Sequence, residues 1–259
     1  MPSILDNKKM WNEQFDWERH ERHWADFWGN PEMEWRFCIY PRIAKFFPVE
    51  TLLEIGPGYG RWTQYLIPLC KKIYLIDLSQ KCIDVCQEKF RDFKHISYFV
   101  NDGMNLDMIP ENSIDFVFSF DSLVHAEKDV LQAYFHQLEK KMRSKSFGFI
   151  HHSNLGSVNP QTNWVQVCMN YFKTKLFGSK HWRAKSVSSQ LVQKYIADAG
   201  LFTLSQELVN WGKTRQLIDC ISLFGKEKRS EPVMVYANPN FMNEAKQIKK
   251  LSGIYGRTF

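Results

Sequence analysis

The sequence predicts a doubly wound α/β fold, in which helices cover both faces of a mainly parallel sheet. Strand-like and helix-like segments alternate from Thr51 to Phe224, and this order is typical of parallel strands joined by crossover helices. A glycine-rich turn separates the first strand from the first helix, and acidic residues follow the second and third strands. Ligands of such sheets bind beyond the carboxyl ends of the strands.

Seven apolar segments are predicted strands: TLLEI, KKIYLID, HISYFV, SIDFVFSF, SFGFIHHS, FTLSQELV and RQLIDCISLF. Helices are predicted at GRWTQYLIPLC, at SQKCIDVCQEKF and from about Glu127 to Arg143. A further helix in SVSSQLVQKYIADAGL should end at Gly200, and a short one is expected near Phe241–Leu251. Together these elements predict one α/β domain over residues 48–225.

Residues 1–47 are rich in aromatic residues and form a predicted helical lid. Five of the nine tryptophans lie there, namely Trp11, Trp17, Trp24, Trp28 and Trp35. Trp17, Trp24, Phe27 and Trp28 recur at helical spacing, opposite charged residues. Such a face either packs on the core or covers a cleft, and the two roles are compatible. We expect Trp28 to contact the substrate.

Residues 154–186 interrupt the alternation and are predicted to form a helical cap. Ordered connections of this length are usually functional. In HWRAKS, His181 and Arg183 could bind an acceptor, because arginine suits a phosphate or a carboxylate. Trp182 could stack on the same acceptor, although a solvated loop is the simpler alternative. Residues 226–259 are expected to be a basic C-terminal extension.

The amino-acid composition and the charge pattern indicate where the protein is located and which classes of partner it is expected to bind. The 259 residues are 44% hydrophobic with a net charge of +6, and none of the apolar runs is long enough to cross a bilayer. The polar N-terminus differs from a signal peptide, which favours a cytoplasmic protein without membrane insertion. The basic residues lack the aromatic interleaving of a nucleic-acid groove. We therefore expect no nucleic-acid partner and leave a homodimer open.

The turn EIGPGYGRW carries the predicted cofactor site. Gly56, Gly58 and Gly60 let the backbone turn sharply and approach a ligand without a Cβ in the way. A dinucleotide fingerprint would need its third glycine at the position of Arg61. The observed spacing, preceded by Glu54, therefore argues against an NAD-linked oxidoreductase.

This turn resembles motif I of the class I methyltransferases that depend on S-adenosyl-L-methionine (SAM). The resemblance covers about Thr51 to Phe224 and implies a Rossmann-like, seven-stranded sheet that ends in an antiparallel hairpin, with SAM as the cofactor. It implies that Glu54, the three glycines and Arg61 lie at the cofactor. It also implies that Asp77 binds the ribose hydroxyls and that Asp102 meets the adenine amino group. Gly103 would allow the cofactor to approach the backbone closely. The alternative for each aspartate is a turn or a helix cap.

A hydroxyl acceptor must lose a proton during methyl transfer, and a histidine or carboxylate can remove it. Candidates follow the fourth and fifth strands: Asp121, His125, His151 and His152. Adjacent strand residues point to opposite faces, so one of the two neighbouring histidines should face the cleft, and we favour His152. Each candidate could equally be structural. Asp102, Asp121 and His152 could in principle hold Mg²⁺, but their spacing does not support a metal site.

The sequence thus predicts an enzyme that methylates a hydroxyl of a small-molecule or glycan acceptor, using SAM and no metal. SFDSLVH and FIHHSN resemble a subgroup of bacterial and viral methyltransferases associated with surface-glycan biosynthesis, which favours a sugar or glycan. A natural-product O- or N-methyltransferase is the alternative within the enzyme class. A non-catalytic SAM-fold binding protein is the alternative outside it.

Overall fold

The computed structural model describes residues 3–17, 23–158, 183–228 and 230–255, without the side chains of residues 23, 24 and 255. Its strands are β1 (Val49–Ile55), β2 (Cys70–Asp77), β3 (Ile96–Val100), β4 (Ile114–Ser119), β5 (Met142–Ser153), β6 (Phe202–Val209), β7 (Asp219–Gly225) and β8 (Met234–Asn238). They form one sheet in the order β3-β2-β1-β4-β5-β7-β6-β8. The first five strands are parallel, and β7 is antiparallel to β5 and β6. The predicted α/β class is confirmed.

The helices are α1 (Ile4–Lys9), α2 (Pro31–Glu34), α3 (Tyr40–Ile43), α4 (Thr63–Leu66), α5 (Gln80–Lys89), α6 (Lys128–Lys141), α7 (Ser189–Asp198) and α8 (Phe241–Tyr255). The helix after the glycine turn is shorter than predicted. It continues as a 3-10 turn over Ile67–Leu69, where Pro68 has no amide hydrogen to donate. Serine side chains cap α5 and α7 through Ser79 and Ser188. None of the described helices has the length and apolar character needed to cross a bilayer.

The core has two layers, one on each face of the sheet. Leu52 and Phe116 belong to the layer that contains the N-terminal helices, and Leu53 and Val117 belong to the layer under α6 and α7. Neighbouring strand residues therefore serve opposite layers, as expected for a sheet covered on both faces. This arrangement leaves the carboxyl edge of the parallel strands free to form a site.

The sequence predicts seven strands, and the structure has eight. The additional strand, β8, pairs in parallel with β6 at the edge of the sheet. Met234, Val235 and Tyr236 are consecutive apolar residues, so the sequence shows no alternation of apolar and polar residues that would predict a strand. In the structure all three are exposed. The following helix α8 buries Phe241 and Ala245. Part of the predicted C-terminal extension is therefore built into the sheet and the core.

The predicted role of Trp28 is not supported by its position. Trp28 is 1% exposed and belongs to the core. Its ring centroid lies 5.4 Å from that of Trp211 and 5.6 Å from that of Phe241. Because it is packed against these rings, Trp28 cannot contact a substrate here. Residues 159–182, which include His181 and Trp182 of the predicted cap, lie outside the described residues, as does the Trp24 side chain.

Candidate active site

A cavity opens at the carboxyl ends of β1 to β4. The cavity and its open mouth together contain about 960 Å³ of space that is free of protein atoms. The loops after these strands supply much of its wall, including Gly56, Gly58, Asp77, Gly103, Asp121 and Ser122. This is the location at which open α/β sheets bind ligands.

The glycine turn adopts a backbone that other residues rarely adopt. Gly56 has a φ of +72° and Gly58 a φ of +56°, in the left-handed region that favours glycine. A Cβ on Gly56 would lie 1.9 Å from Ser122 Oγ, and one on Gly58 would lie 2.8 Å from the Trp17 ring. Both glycines therefore combine a required turn with a close approach at the cavity wall.

Gly60 and Glu54 support the turn from behind the cavity. A Cβ on Gly60 would lie 2.4 Å from the Phe90 ring, so this glycine makes room for packing. Glu54 is buried and accepts a hydrogen bond of 2.7 Å from Thr63 Oγ1. Burial raises the pKa of Glu54 to about 8. Neither residue belongs to the cavity wall, although both are predicted cofactor residues.

Asp77 ends β2 and faces the cavity. Its Oδ2 accepts a hydrogen bond of 3.1 Å from the Gly58 amide, and its Oδ1 accepts one of 2.9 Å from the Ser79 amide. The side chain is largely buried, and burial raises the pKa of Asp77 to about 6. The two amides fix the carboxylate in position, and each oxygen has a second lone pair for another donor.

The structure places the Asp102 side chain away from the cavity wall. Asp102 is exposed, and its Oδ1 accepts hydrogen bonds of 2.8 Å from the amides of Met104 and Asn105. These backbone bonds hold the pKa of Asp102 below its usual value. The carboxylate therefore stabilises the turn and lies outside the cavity wall, and its predicted role at the adenine stays a prediction. The neighbouring Gly103 does line the cavity, with a φ of +89°.

Residues 3–17, termed the N-terminal lid, cover the cavity. Four of them belong to its wall, namely Ile4, Asn7, Trp11 and Trp17. On one side, Asn7 Nδ2 donates a hydrogen bond of 3.0 Å to the carbonyl oxygen of His125. On the other side, Ser79 Oγ donates one of 2.7 Å to Asn12 Oδ1. The lid is thus attached beyond both β4 and β2, and it spans the space between them.

Arg61 and Asp121 form an ion pair in the cavity wall. Arg61 Nη2 lies 2.9 Å from Asp121 Oδ2, and both side chains are largely buried. The guanidinium also lies 4.5 Å from the centroid of the Trp62 ring. Asp121 has a φ of +60°, an uncommon conformation for a residue other than glycine. His125 lines the same region, with its ring centroid 5.1 Å from that of Trp11.

His151 lies behind Asp121. Its Nδ1 accepts a hydrogen bond of 3.3 Å from the Asp121 amide, and its Nε2 lies 3.3 Å from Asp219 Oδ2. The ring is fully buried, with its centroid 4.7 Å from that of Phe120. His151 therefore connects the unusual backbone of Asp121 to a buried carboxylate in β7. Asp219 is not among the predicted residues, although an isolated acid in the apolar segment LIDCISLF is a detectable signal.

The structure reverses the predicted orientation of the two histidines. His152 Nε2 lies 2.8 Å from Ser222 Oγ, and its Nδ1 lies 2.9 Å from the carbonyl oxygen of Ser153. Burial lowers the pKa of His152 to about 4. Because adjacent residues of β5 point to opposite faces, His151 is on the side of Asp121 and His152 is on the other side. His152 is therefore absent from the cavity wall.

Arg183 forms an ion pair with the buried carboxylate of Asp219. Its Nε lies 2.6 Å from Asp219 Oδ1, and its Nη2 lies 2.7 Å from Asp219 Oδ2. Burial raises the pKa of Asp219, but the charges of Arg183 and His151 outweigh this effect and hold it at about 2. This bidentate pair occupies the guanidinium. Arg183 is also absent from the cavity wall, so the structure gives its predicted role at an acceptor no support.

Asp102, Asp121 and His152 do not converge. Asp102 lies in an exposed turn, Asp121 lies in the cavity wall, and His152 points to the opposite face of the sheet. More generally, the described ranges contain no cluster of three or more His, Cys, Asp or Glu residues placed to hold a metal ion.

Known proteins match part of this chain in sequence. Residues 52–145 match the family model of a methyltransferase domain. The chain is 34% identical over 73 residues to ribosomal RNA small subunit methyltransferase A of Coxiella burnetii, a match that covers 27% of this chain and 28% of that protein. A protein of the same name from Clostridium botulinum is 31% identical over 64 residues. The chain thus spans about a quarter of the length of these relatives.

Solved structures share the fold over most of this chain. A SAM-dependent methyltransferase from Aquifex aeolicus has a TM-score of 0.53 and 18% identity, and the match covers 82% of this chain and 98% of that one. An S-adenosylmethionine-dependent methyltransferase from Clostridium acetobutylicum has a TM-score of 0.53 and 14% identity, covering 85% and 96%. At these identities the solved structures show the fold alone. The match to a methyltransferase domain and the glycine turn support SAM as the cofactor. Residues 52–145 thus match a methyltransferase domain, and the chain has the fold of SAM-dependent methyltransferases.

Proposed function

We propose that the chain transfers the methyl group of SAM to a hydroxyl group of a small acceptor, namely a sugar or a glycan. The observation that carries this proposal is the composition of the covered cavity. One side has the glycine turn and Asp77, and the other has aromatic rings around the Arg61–Asp121 pair and His125. A cofactor and a small acceptor could therefore lie next to each other, away from bulk water.

The cofactor side fits SAM through the residues already in place. The carboxylate of Asp77 is held by two amides and can accept hydrogen bonds from ribose hydroxyls with its remaining lone pairs. Gly56 and Gly58 leave room for the amino-acid portion, and Gly103 leaves room for the base. Bound SAM supplies a methyl group that is already activated by its sulfonium, so the protein chiefly aligns the acceptor.

The acceptor side offers two groups for the chemistry. We assign His125 as the base, because it lines the cavity and an imidazole is an effective proton acceptor near neutral pH. We assign Asp121 to orient the acceptor, since its carboxylate also belongs to the wall. His151 is then a positioning residue, because it accepts the hydrogen bond of the Asp121 amide from behind.

The N-terminal lid favours a small acceptor over a large one. Its attachments to His125 and Ser79 span the cleft, and its side chains Trp11 and Trp17 form part of the wall. Aromatic rings of this kind suit the apolar face of a sugar, and they also suit a planar natural product. The similarity to ribosomal RNA methyltransferases covers 73 residues, so it carries no argument for an RNA acceptor.

The test is to identify the atom that receives the methyl group. The purified chain is incubated with methyl-labelled SAM and, separately, with sugars, sugar oligomers, small amines and ribosomal RNA, and products are identified by mass and NMR. We expect a methyl ether on a sugar, and His125→Ala should lower kcat by roughly 10²-fold. A label found only on nitrogen or on RNA would contradict the proposal. Binding of SAM without turnover of any acceptor would favour a non-catalytic protein.

A further inference from the structure

Asp121 reaches the cavity through a backbone conformation that needs support. Its φ of +60° lies in the left-handed region, which is unfavourable for a residue with a side chain and persists only where neighbouring groups fix it. The carboxylate lines the cavity, and its Oδ2 lies 2.9 Å from Arg61 Nη2. The hydrogen bond of 3.3 Å from the Asp121 amide to His151 Nδ1 supports this conformation from behind.

This hydrogen bond specifies where the hydrogen of the His151 ring lies. A neutral imidazole has one nitrogen that donates a hydrogen bond and one that accepts it. Because Nδ1 accepts from the Asp121 amide, the ring hydrogen belongs on Nε2. Moving it to Nδ1 would bring two N–H groups against each other and remove the support from Asp121. The support therefore depends on one tautomer of His151.

A buried carboxylate lies beside the other nitrogen of the ring. Asp219 Oδ2 is 3.3 Å from His151 Nε2, and both side chains are fully buried. Arg183 binds the same carboxylate through contacts of 2.6 Å and 2.7 Å. Burial raises the pKa of Asp219, but Arg183 and His151 outweigh this effect and hold it at about 2. An ionised carboxylate accepts hydrogen bonds and cannot donate one, so it favours the hydrogen on Nε2.

Aromatic packing holds the His151 ring in this orientation. Its centroid lies 4.7 Å from that of Phe120 and 5.0 Å from that of Trp211, and both of these side chains are buried. Rotation of the ring, which would take Nδ1 away from the Asp121 amide, is hindered by these neighbours. The groups at the two ends of the ring therefore decide which nitrogen carries the hydrogen.

We propose that Asp219 is a positioning residue of methyl transfer, which acts on Asp121 through the tautomer of His151. Arg183 assists by keeping the Asp219 carboxylate fixed and ionised. Asp219 itself is absent from the cavity wall, so it acts without touching the acceptor. This inference rests on the proposed function, because it takes Asp121 as the group that orients the acceptor.

Nitrogen NMR of the wild-type protein tests the tautomer first. The protein is labelled with ¹⁵N-histidine and saturated with S-adenosylhomocysteine, and His151→Gln identifies the signals of the ring. An imidazole nitrogen without hydrogen resonates far downfield of one that carries hydrogen, so the spectrum assigns the tautomer. We expect Nδ1 to lack hydrogen at pH 7. Hydrogen on Nδ1 overturns the proposal, and this measurement needs neither an acceptor nor a variant of Asp219.

Asp219→Asn then replaces the carboxylate by an amide of the same shape that can also donate. We expect the Nδ1–H form of His151 to appear, and kcat to fall roughly tenfold or more with a smaller change in SAM affinity. In the His151→Gln background the same substitution should change kcat by less than about twofold, because Asp219 acts through the ring. Equal losses of kcat in the two backgrounds would overturn the proposal, as would a wild-type tautomer in Asp219→Asn.

Glu207→Gln is the matched control for the loss of a buried ion pair. Glu207 is a partly buried acid of β6, and its two oxygens each lie 2.7 Å from a nitrogen of Arg42, away from the cavity wall. This variant should keep the tautomer and the kcat of wild type, and calorimetry with S-adenosylhomocysteine should show that Asp219→Asn is folded. Oxygen methylation with an unchanged tautomer in Asp219→Asn would reject the inference alone. Nitrogen methylation with the expected change of tautomer would reject the proposed function alone.

Discussion

His152 should make the stability of the protein depend on pH in a way that a single substitution removes. The ring is fully buried, and both of its nitrogens contact polar atoms of β5 and β7. Burial lowers its pKa to about 4 in the folded protein, compared with about 6.5 for an unperturbed histidine. The unfolded chain therefore takes up this proton first as the pH falls.

The sign and size of the effect follow from this difference. Since the folded pKa is the lower one, the stability contributed by neutral His152 is fully present above pH 6.5 and is lost as the pH falls towards 4. A difference of this size corresponds to about 3 kcal/mol of unfolding free energy. In His152→Gln the amide cannot be protonated, so this loss should disappear. The stability advantage of wild type over the variant should shrink by about 3 kcal/mol between pH 7 and pH 4.

Urea unfolding followed by circular dichroism, repeated across this pH range, measures the difference. Buried acids such as Asp77 also titrate, but they are common to both proteins and cancel in the comparison. His136→Gln, on the exposed face of α6, is the control and should keep the pH dependence of wild type. If His152→Gln shows the same pH dependence as wild type, the buried, uncharged state assigned to His152 is wrong. Turnover by His152→Gln should stay near wild type, because the ring is absent from the cavity wall.

Three further predictions concern the cavity. Asp77→Asn should weaken SAM binding roughly tenfold or more, and wild-type affinity should fall below about pH 6 as Asp77 is protonated; calorimetry showing constant affinity at lower pH would contradict this role. Replacing Asn7 and Asn12 together by alanine should speed SAM release about tenfold, since two hydrogen bonds of the N-terminal lid are lost; an unchanged stopped-flow rate would argue against a lid. His151→Gln should lower kcat more than SAM affinity, whereas proportional losses in both would make His151 purely structural.

The sequence predicts the strands and the glycine turn of the cofactor site well, because neighbouring residues are enough to identify each of them. Strands β1 and β2 are short, largely apolar segments; Gly56 directly follows β1, and Asp77 ends β2. The glycine turn needs only its own backbone and the following residues to be recognised. The class of fold and the position of the cavity follow from these elements and from the rule that ligands bind at the carboxyl ends of strands.

The residues around the proposed acceptor site are harder to predict from sequence, because their contacts join distant parts of the chain. The end of β5 is buried on both faces, so hydrophobicity does not reveal which of His151 and His152 lies on the side of Asp121. The ion pair between Arg183 and Asp219 joins residues from separate segments, and it removes Arg183 from the list of acceptor-binding candidates. Glu34 resembles an ordinary surface acid in sequence, and its burial becomes evident only from the packed structure.

The most direct test of the central claim is calorimetry of the purified chain with SAM, S-adenosylhomocysteine and NAD. Arg61 occupies the position where a dinucleotide site needs its third glycine, and Asp77 faces the cavity at the end of β2. We predict binding of SAM and S-adenosylhomocysteine at one site per chain, lost or strongly weakened in Asp77→Asn, and no heat of binding with NAD. Binding of NAD without any signal from SAM would contradict the account.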